Sequence, residues 1–263
     1  MNQENLCLCC DWYSWAFLYD DQLDQMEFGR HPEQVRAFQD HLLALLQHPH
    51  QADPSQEGPG ALALLDIWQR LCQLISPSWQ QRFLSHLTDL FAAISLETAH
   101  RAHRQILSVQ DYITLRRRAS GMYNSFDLIE ALGTGEMPSS LYENRSIQDL
   151  LQTACDIICW TNDVYSLQKE VAAAELHNLV VVVEQTQGSV QAAVNQVCGM
   201  IETQTHRFQQ MVEHFPLRAF QVDYDLPSYL ADVSSLIGGN LDWSRQTGRY
   251  NRGEDFEPGR SKR

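Results

Sequence analysis

Apolar residues recur at three- and four-residue spacing along almost the whole chain, no run alternates convincingly at period two, and Pro and Gly gather in short clusters. The pattern predicts an all-α protein, with helices at about 10–29, 33–47, 60–76, 79–107, 109–133, 146–173, 176–186, 189–213 and 226–246. The breaks carry turn chemistry: His31-Pro32, His50 to Gly60, Ser76-Pro77, Gly133-Thr134-Gly135, Gly188 and Phe215-Pro216. Val180 to Val183 is the one β-branched run, and with no second strand to pair with it reads as a buried helical segment. No internal repeat is visible.

With 263 residues, 44% of them hydrophobic, the chain is long enough to bury one sizeable core. A single domain over 1–250 is expected, followed by a polar tail, 251–263, whose composition predicts disorder. The net charge of -14 argues against a surface built for nucleic acid, because a phosphate backbone calls for an excess of Lys and Arg. An acidic chain that handles a phosphorylated ligand needs metal cations or a few placed arginines. No stretch approaches the roughly 20 apolar residues of a membrane span, and the opening residues lack the basic and apolar regions of a signal peptide. A soluble, cytoplasmic protein is expected. Seven cysteines, an odd number, fit a reducing compartment, and Cys7, Cys9 and Cys10 read as buried free thiols. His41, His48 and His50 lack metal-ligand spacing and read as solvated surface.

Two polar constellations carry candidate chemistry. In Phe17-Leu18-Tyr19-Asp20-Asp21-Gln22-Leu23-Asp24, Asp20 and Asp24 fall one helical turn apart on one face, with Asp21 beside them. Carboxylates so spaced can hold hard divalent cations such as Mg²⁺ and leave coordination positions for phosphate oxygens. The plain alternative is an exposed acidic patch, which short strings of this kind often are. Trp12, Trp15, Phe17 and Leu18 suggest instead a largely buried helix, where unpaired carboxylates would be costly. In Asn162-Asp163-Val164-Tyr165-Ser166-Leu167-Gln168-Lys169-Glu170, the residues Asn162, Ser166 and Glu170 stack an amide, a hydroxyl and a carboxylate in one stripe. An ordinary polar helix face is the alternative here. The helix begins with Leu150-Leu151 and runs through Ile157-Ile158-Cys159-Trp160, and polar residues that continue a buried helix more often do something specific.

The two motifs, in this order, resemble those of bacterial class I terpene synthases, which carry D-D-x-x-D and N-D-x-x-S-x-x-K-E on facing helices. The resemblance implies a helical bundle around a central apolar cavity and Mg²⁺-dependent ionisation of a linear prenyl diphosphate. Three Mg²⁺ ions would grip the diphosphate, with Mn²⁺ a possible substitute. Asp20, Asp21 and Asp24 would serve the first motif, with Asp20 the main ligand, and Asn162, Ser166 and Glu170 the second. Tyr112-x-x-x-Arg116-Arg117-Arg118-x-x-Gly121 is similar to the segment in which the family places a diphosphate-sensing arginine before a helix break. Arg116 takes that role; the break around Ala119-Ser120-Gly121 would offer a backbone carbonyl to the cation, and Arg117 and Arg118 read as solvated charge. His177-Asn178-Leu179-Val180, and Trp243 followed by Arg249-Tyr250, also resemble the family. Lys169, Arg249 and Tyr250 would join Arg116 on the diphosphate.

The allyl cation left by ionisation needs a dry cavity and can be stabilised by aromatic faces. Candidates are Trp15, Phe17, Tyr123, Phe126, Trp160 and Trp243, each with core packing as its alternative, and Phe17, one turn before Asp20, ranks first. Farnesyl diphosphate, the family's commonest substrate, would give a cyclic sesquiterpene. A homodimer is a further expectation from the family. Relatives usually carry an appreciable segment before the aspartate-rich motif, whereas here only 19 residues precede Asp20, so either this start is internal to a longer chain or the protein is a shortened form. Two rival readings stand beside the cyclase. A chain-elongating prenyl diphosphate synthase would carry a second D-D-x-x-D where this chain has Asn162 to Glu170, and an inactive helical relic would not need intact ligands at each position.

Overall fold

Prolines and short polar side chains set where the helices begin. Ser76, Ser108, Asn144, Asn178, Ser189 and Asp225 each accept a hydrogen bond from a backbone N–H in the first turn that follows. Each such cap stabilises its helix by about 1 kcal/mol. Proline occupies the first turn of four helices, where the missing N–H costs nothing. The computed structural model describes residues 2–25, 31–173, 175–215 and 223–250, with side chains of the first segment described to residue 23. Its helices are α1 (Gln3–Gln25), α2 (Pro32–Gln47), α3 (Pro59–Cys72), α4 (Pro77–Ala102), α5 (Val109–Ala119), α6 (Met122–Ile129), α7 (Ser139–Tyr142), α8 (Arg145–Ala172), α9 (Leu179–Gln187), α10 (Val190–Glu213) and α11 (Leu226–Gln246). Among the described residues there is no strand. The tail 251–263 lies outside them.

The sequence pattern located every long helix, and the differences have physical causes. Helix α1 starts at Gln3, because nothing between there and Trp12 breaks a helix and Asn5 Nδ2 donates to the Leu132 carbonyl at 2.9 Å. Its buried stripe is Leu8, Trp12, Trp15, Tyr19 and Leu23. Positions off that stripe face outward, so α1 is half-buried rather than largely buried: Phe17 and Leu18 are 37% and 64% exposed. For the same reason Cys7 and Cys10 are exposed and Cys9 intermediate, not the buried thiols expected. The run expected as one helix over 109–133 divides at Ser120 and Gly121, where Gly121 takes φ 67°, and its last turn, Glu130–Thr134, is π-helical. Val180 to Val183 is buried in α9, as the sequence implies.

Two apolar clusters fill the bundle. One is built on α8, whose Ile147, Leu150, Leu151, Ala154 and Cys155 are fully buried against α5, α6, α9, α10 and α11. The other gathers α1 to α4 around Trp12, Trp68, Trp79 and Phe83. Helix α6 joins them, since Met122 and Phe126 belong to the first and Leu128, with Leu132 just beyond, to the second. A buried polar network sets its rotation. Arg82 on α4 donates to Asp127 at 3.0 Å and to Glu130 at 2.5 Å, His86 Nδ1 meets Asp127 at 2.6 Å, and Tyr142 Oη meets His86 Nε2 at 3.1 Å. Buried charges of this kind add little net stability but leave few alternative packings, because every other rotation strands a carboxylate.

At Gly121 a left-handed backbone is required, and a Cβ there would meet Leu90 Cδ2 at an ordinary 3.5 Å. The cost of a side chain is therefore conformational. Gly121→Ala is expected to destabilise the fold by about 1–2 kcal/mol and Gly121→Asn by clearly less, since Asn tolerates this conformation. Chemical denaturation of the two variants checks the order.

Candidate active site

Helix α8 changes character along its length: apolar and buried to Trp160, then polar at Asn162, Asp163, Ser166 and Glu170. Asn162, Ser166 and Glu170 share a stripe, as their spacing requires. Beside that stripe, Asp156 and Asp163, seven residues apart, meet the arginines of α5. Arg117 donates to both oxygens of Asp156 at 2.7 Å. Arg116 Nε donates to Asp163 Oδ1 at 3.1 Å, and its Nη2 reaches Asn162 Oδ1 at 2.9 Å. Arg117 is thus tied to a buried carboxylate rather than solvated, which corrects the expectation; Arg118, paired with Asp89 at the surface, is as expected.

Asp163 is fully buried and receives a donor from each neighbour: Tyr112 Oη at 2.6 Å, Arg116, and the backbone N–H of Leu179 at 3.1 Å. Burial pushes its carboxyl above the usual range, and these donors hold the charge against that push. Glu170 accepts from Asn178 Nδ2 at 2.8 Å, and burial, with Asp163 nearby, pushes its carboxyl up to about 7. A buried carboxyl so raised favours a cation beside it. Ser166 Oγ is buried without a hydrogen-bond partner, although a buried hydroxyl ordinarily has one. An amide oxygen, an orphaned hydroxyl and a carboxylate in one stripe fit a hard oxygen-seeking cation.

The aspartate-rich motif lies on α1 with Asp20 and Asp21 at its outer edge, and the Asp24 side chain lies outside the described residues. Both carboxylates are held by one guanidinium from the far end of the chain. Arg249 Nη2 is 2.7 Å from Asp20 Oδ2, and Nη1 is 2.8 Å from Asp21 Oδ1. The next residue, Tyr250, receives a hydrogen bond from Asn162 Nδ2 at 2.5 Å. Two adjacent residues therefore touch both motifs, and the two halves of the site face one another across them. Beside them, Phe17 stacks on Trp243 with ring centroids 5.0 Å apart, Tyr250 meets Trp243 edge-on at 5.6 Å, and the Arg249 guanidinium lies 5.2 Å from the Phe17 ring. Lys169 is half-buried in the last turns of α8.

A comparison with protein families decides what this arrangement belongs to. The model described as terpene synthase family 2, C-terminal metal binding, matches residues 11–207. The chain is a member of the terpene synthase family. As a terpene synthase it is a lyase with a metal-binding domain, and the resemblance seen in its two motifs is borne out. Germacrene A synthase of Nostoc punctiforme is 30% identical over 255 residues, spanning 97% of this chain and 78% of its own. 10-epi-cubebol synthase of Sorangium cellulosum is 30% identical over 94% of this chain and 79% of its own. Among solved structures, linalool/nerolidol synthase from Streptomyces clavuligerus superposes with a TM-score of 0.83 at 26% identity, covering 93% of this chain and 83% of that one. Germacradien-4-ol synthase from Streptomyces citricolor gives 0.82 at 29% identity, covering 94% and 80%.

Several aromatic candidates belong to the core of this terpene synthase. Trp15 stacks on Tyr19 at 5.3 Å and donates to the Gly60 carbonyl at 2.9 Å, which turns it toward α3 and away from Asp20. Trp160 is buried in the α8 cluster and, with Gly199 and Met200 of α10, lines a separate small pocket. A groove of about 480 Å³ runs along the Trp15 and Leu18 face of α1, away from the motif carboxylates. Phe17 and Trp243, by contrast, lie at the site. Residues missed as contributors were Asp163, Tyr112 and Asn178. The seven-residue spacing of Asp156 and Asp163, matched by the adjacent Arg117 and Arg116, was the available signal for the first.

Arg249 occupies the carboxylates that a cation would use. Half-exposed pairs of this kind are worth about 1 kcal/mol, so Arg249→Ala is expected to bind Mg²⁺ alone about fivefold more tightly than the wild type. Calorimetric titration without diphosphate checks this.

Proposed function

We propose that this terpene synthase ionises and cyclises a linear prenyl diphosphate, farnesyl diphosphate, to a cyclic sesquiterpene, releasing diphosphate in a Mg²⁺-dependent reaction. The observation that carries the proposal is the adjacency of Arg249 on Asp20 and Asp21 to Tyr250 on Asn162, which brings both motifs to one place. The names of the relatives support it, since a related synthase from Roseiflexus castenholzii, 31% identical, is described as cyclising farnesyl diphosphate.

In this reading the aspartate-rich motif of Asp20, Asp21 and Asp24, together with Asn162, Ser166 and Glu170, would hold three Mg²⁺ ions. Those ions, when bound, neutralise the charge that builds on the departing diphosphate oxygens. Arg116, poised beside Asn162 and anchored by Asp163, contacts the diphosphate from below, with Lys169 adding a positive charge at the end of α8. Arg249 and Tyr250 move from the motif side chains onto the diphosphate and close the mouth to water. Phe17 and Trp243, stacked on one another beside Arg249 and Tyr250, would offer their quadrupoles to a developing cation once Arg249 leaves the Phe17 ring. The elongation reading has no second aspartate-rich motif to support it.

Incubation with geranyl, farnesyl and geranylgeranyl diphosphates, with and without Mg²⁺, tests the proposal by mass spectrometry of the organic extract. A cyclic fifteen-carbon product that needs Mg²⁺ is expected. Asp20→Ala and Asn162→Ala should each lower turnover by about a hundredfold or more, the scale at which loss of charge stabilisation is felt. Longer diphosphates formed with added isopentenyl diphosphate, or no turnover of any substrate, would refute it.

A further inference from the structure

Asn178 is fully buried at the start of α9, and its side-chain amide makes three hydrogen bonds at once. Oδ1 accepts from the Val180 N–H at 2.8 Å and so caps α9, while Nδ2 donates to the Asp163 carbonyl at 2.6 Å and to Glu170 Oε2 at 2.8 Å. Capping requires only an acceptor, which Ser or Asp supplies as well. The two donated bonds are what an amide adds, and both run to α8.

The loop that presents Asn178 is held from outside. Glu175 Oε1 accepts from the N–H groups of Leu176 and His177 at 2.8 and 3.0 Å, and its other oxygen pairs with Arg101 of α4. The His177 ring packs 5.7 Å from that of His100 and lies 3.5 Å from Glu97. Glu170, though mostly buried, lies only two residues before α8 ends at Ala172. A long carboxylate side chain near a helix end samples many rotamers, and ordering it costs entropy at the moment a ligand binds. The Asn178 bond takes up Oε2 beforehand and sets the direction of the carboxylate.

We propose that Asn178 is a positioning residue, holding Glu170 in the orientation from which it ligates the metal; this rests on the reading of Glu170 as a ligand. Residues that orient a ligand from behind commonly govern metal affinity by ten- to a hundredfold when replaced. The bond to the Asp163 carbonyl extends the same control inward, because Asp163 also aligns Arg116. A single amide thereby ties the geometry of the cation side of the site to that of its arginine.

The test is a titration of Mn²⁺ by electron paramagnetic resonance in the presence of inorganic diphosphate, on the wild type, Asn178→Ser, Asn178→Asp and Glu170→Gln, with thermal melting of each metal-free protein alongside. Both Asn178 variants keep a cap acceptor and lose the donated bonds. Each is expected to need at least about tenfold more Mn²⁺ for half-saturation, with the melting temperature of Asn178→Ser near that of the wild type and that of Asn178→Asp lower, because its carboxylate faces Glu170. Wild-type affinity in both, beside a weakened Glu170→Gln, overturns the positioning role and leaves the ligand reading standing. An unaffected Glu170→Gln overturns the ligand reading itself. Should neither Asn178 variant fold, the wild-type side-chain amide resonances of Asn178 decide: they are expected to shift on saturation with Mg²⁺ and diphosphate, and stationary resonances overturn the proposal.

Discussion

A single buried carboxylate organises the centre of this protein. Asp163 of α8 sits where α5 and the start of α9 converge on that helix, and both contribute donors to it: Arg116 and Tyr112 from α5 and the Leu179 N–H from α9. A charge so deeply buried tolerates no loss of partners, because stranding it costs several kcal/mol. The three helices are therefore held to one arrangement around it. That arrangement places Arg116 beside Asn162 and delivers Asn178 to Glu170, so the chemistry of the site inherits its geometry from an ion pair that is not itself part of the proposed ligand set.

The outer half of the site is built on the opposite principle. Asp20 and Asp21 are partly exposed, and their partner Arg249 arrives from a turn beyond α11 rather than from a packed helix. Exposed ion pairs are weak and exchangeable. A deep, over-determined half and a shallow, exchangeable one are what the proposed closure of Arg249 and Tyr250 over a diphosphate would need. The aromatic stack of Phe17 and Trp243 lies at the seam between them.

The buried network of Arg82, Asp127, Glu130 and His86 serves the same end from a distance. By fixing the rotation of α6 it fixes Gly121, the residue just before that helix, and hence the break between α5 and α6. The π-helical turn at Glu130–Thr134 allows Glu130 to face Arg82 while Leu132 still reaches the second cluster. Such turns are rare because their geometry is poorer than an α-helix, and they persist where two side chains need an offset that a regular helix does not provide.

Much of this was legible in the residues alone. Helical periodicity with caps and prolines yielded the all-α class and the long helices, because those signals are local in the chain. Spacing along one helix likewise placed Asn162, Ser166 and Glu170 in a stripe, and the order of motifs pointed to the family. Which face of α1 is buried was not legible, since Trp12, Trp15, Phe17 and Leu18 are equally apolar and only the packing of α3 and α4 selects among them. Nor was the burial of Arg117, or the meeting of Arg249 and Tyr250 with motifs more than 80 residues away in sequence. Local pattern determines what a segment becomes, but side chains distant along the chain find their partners only when helices pack, and that choice belongs to the tertiary structure.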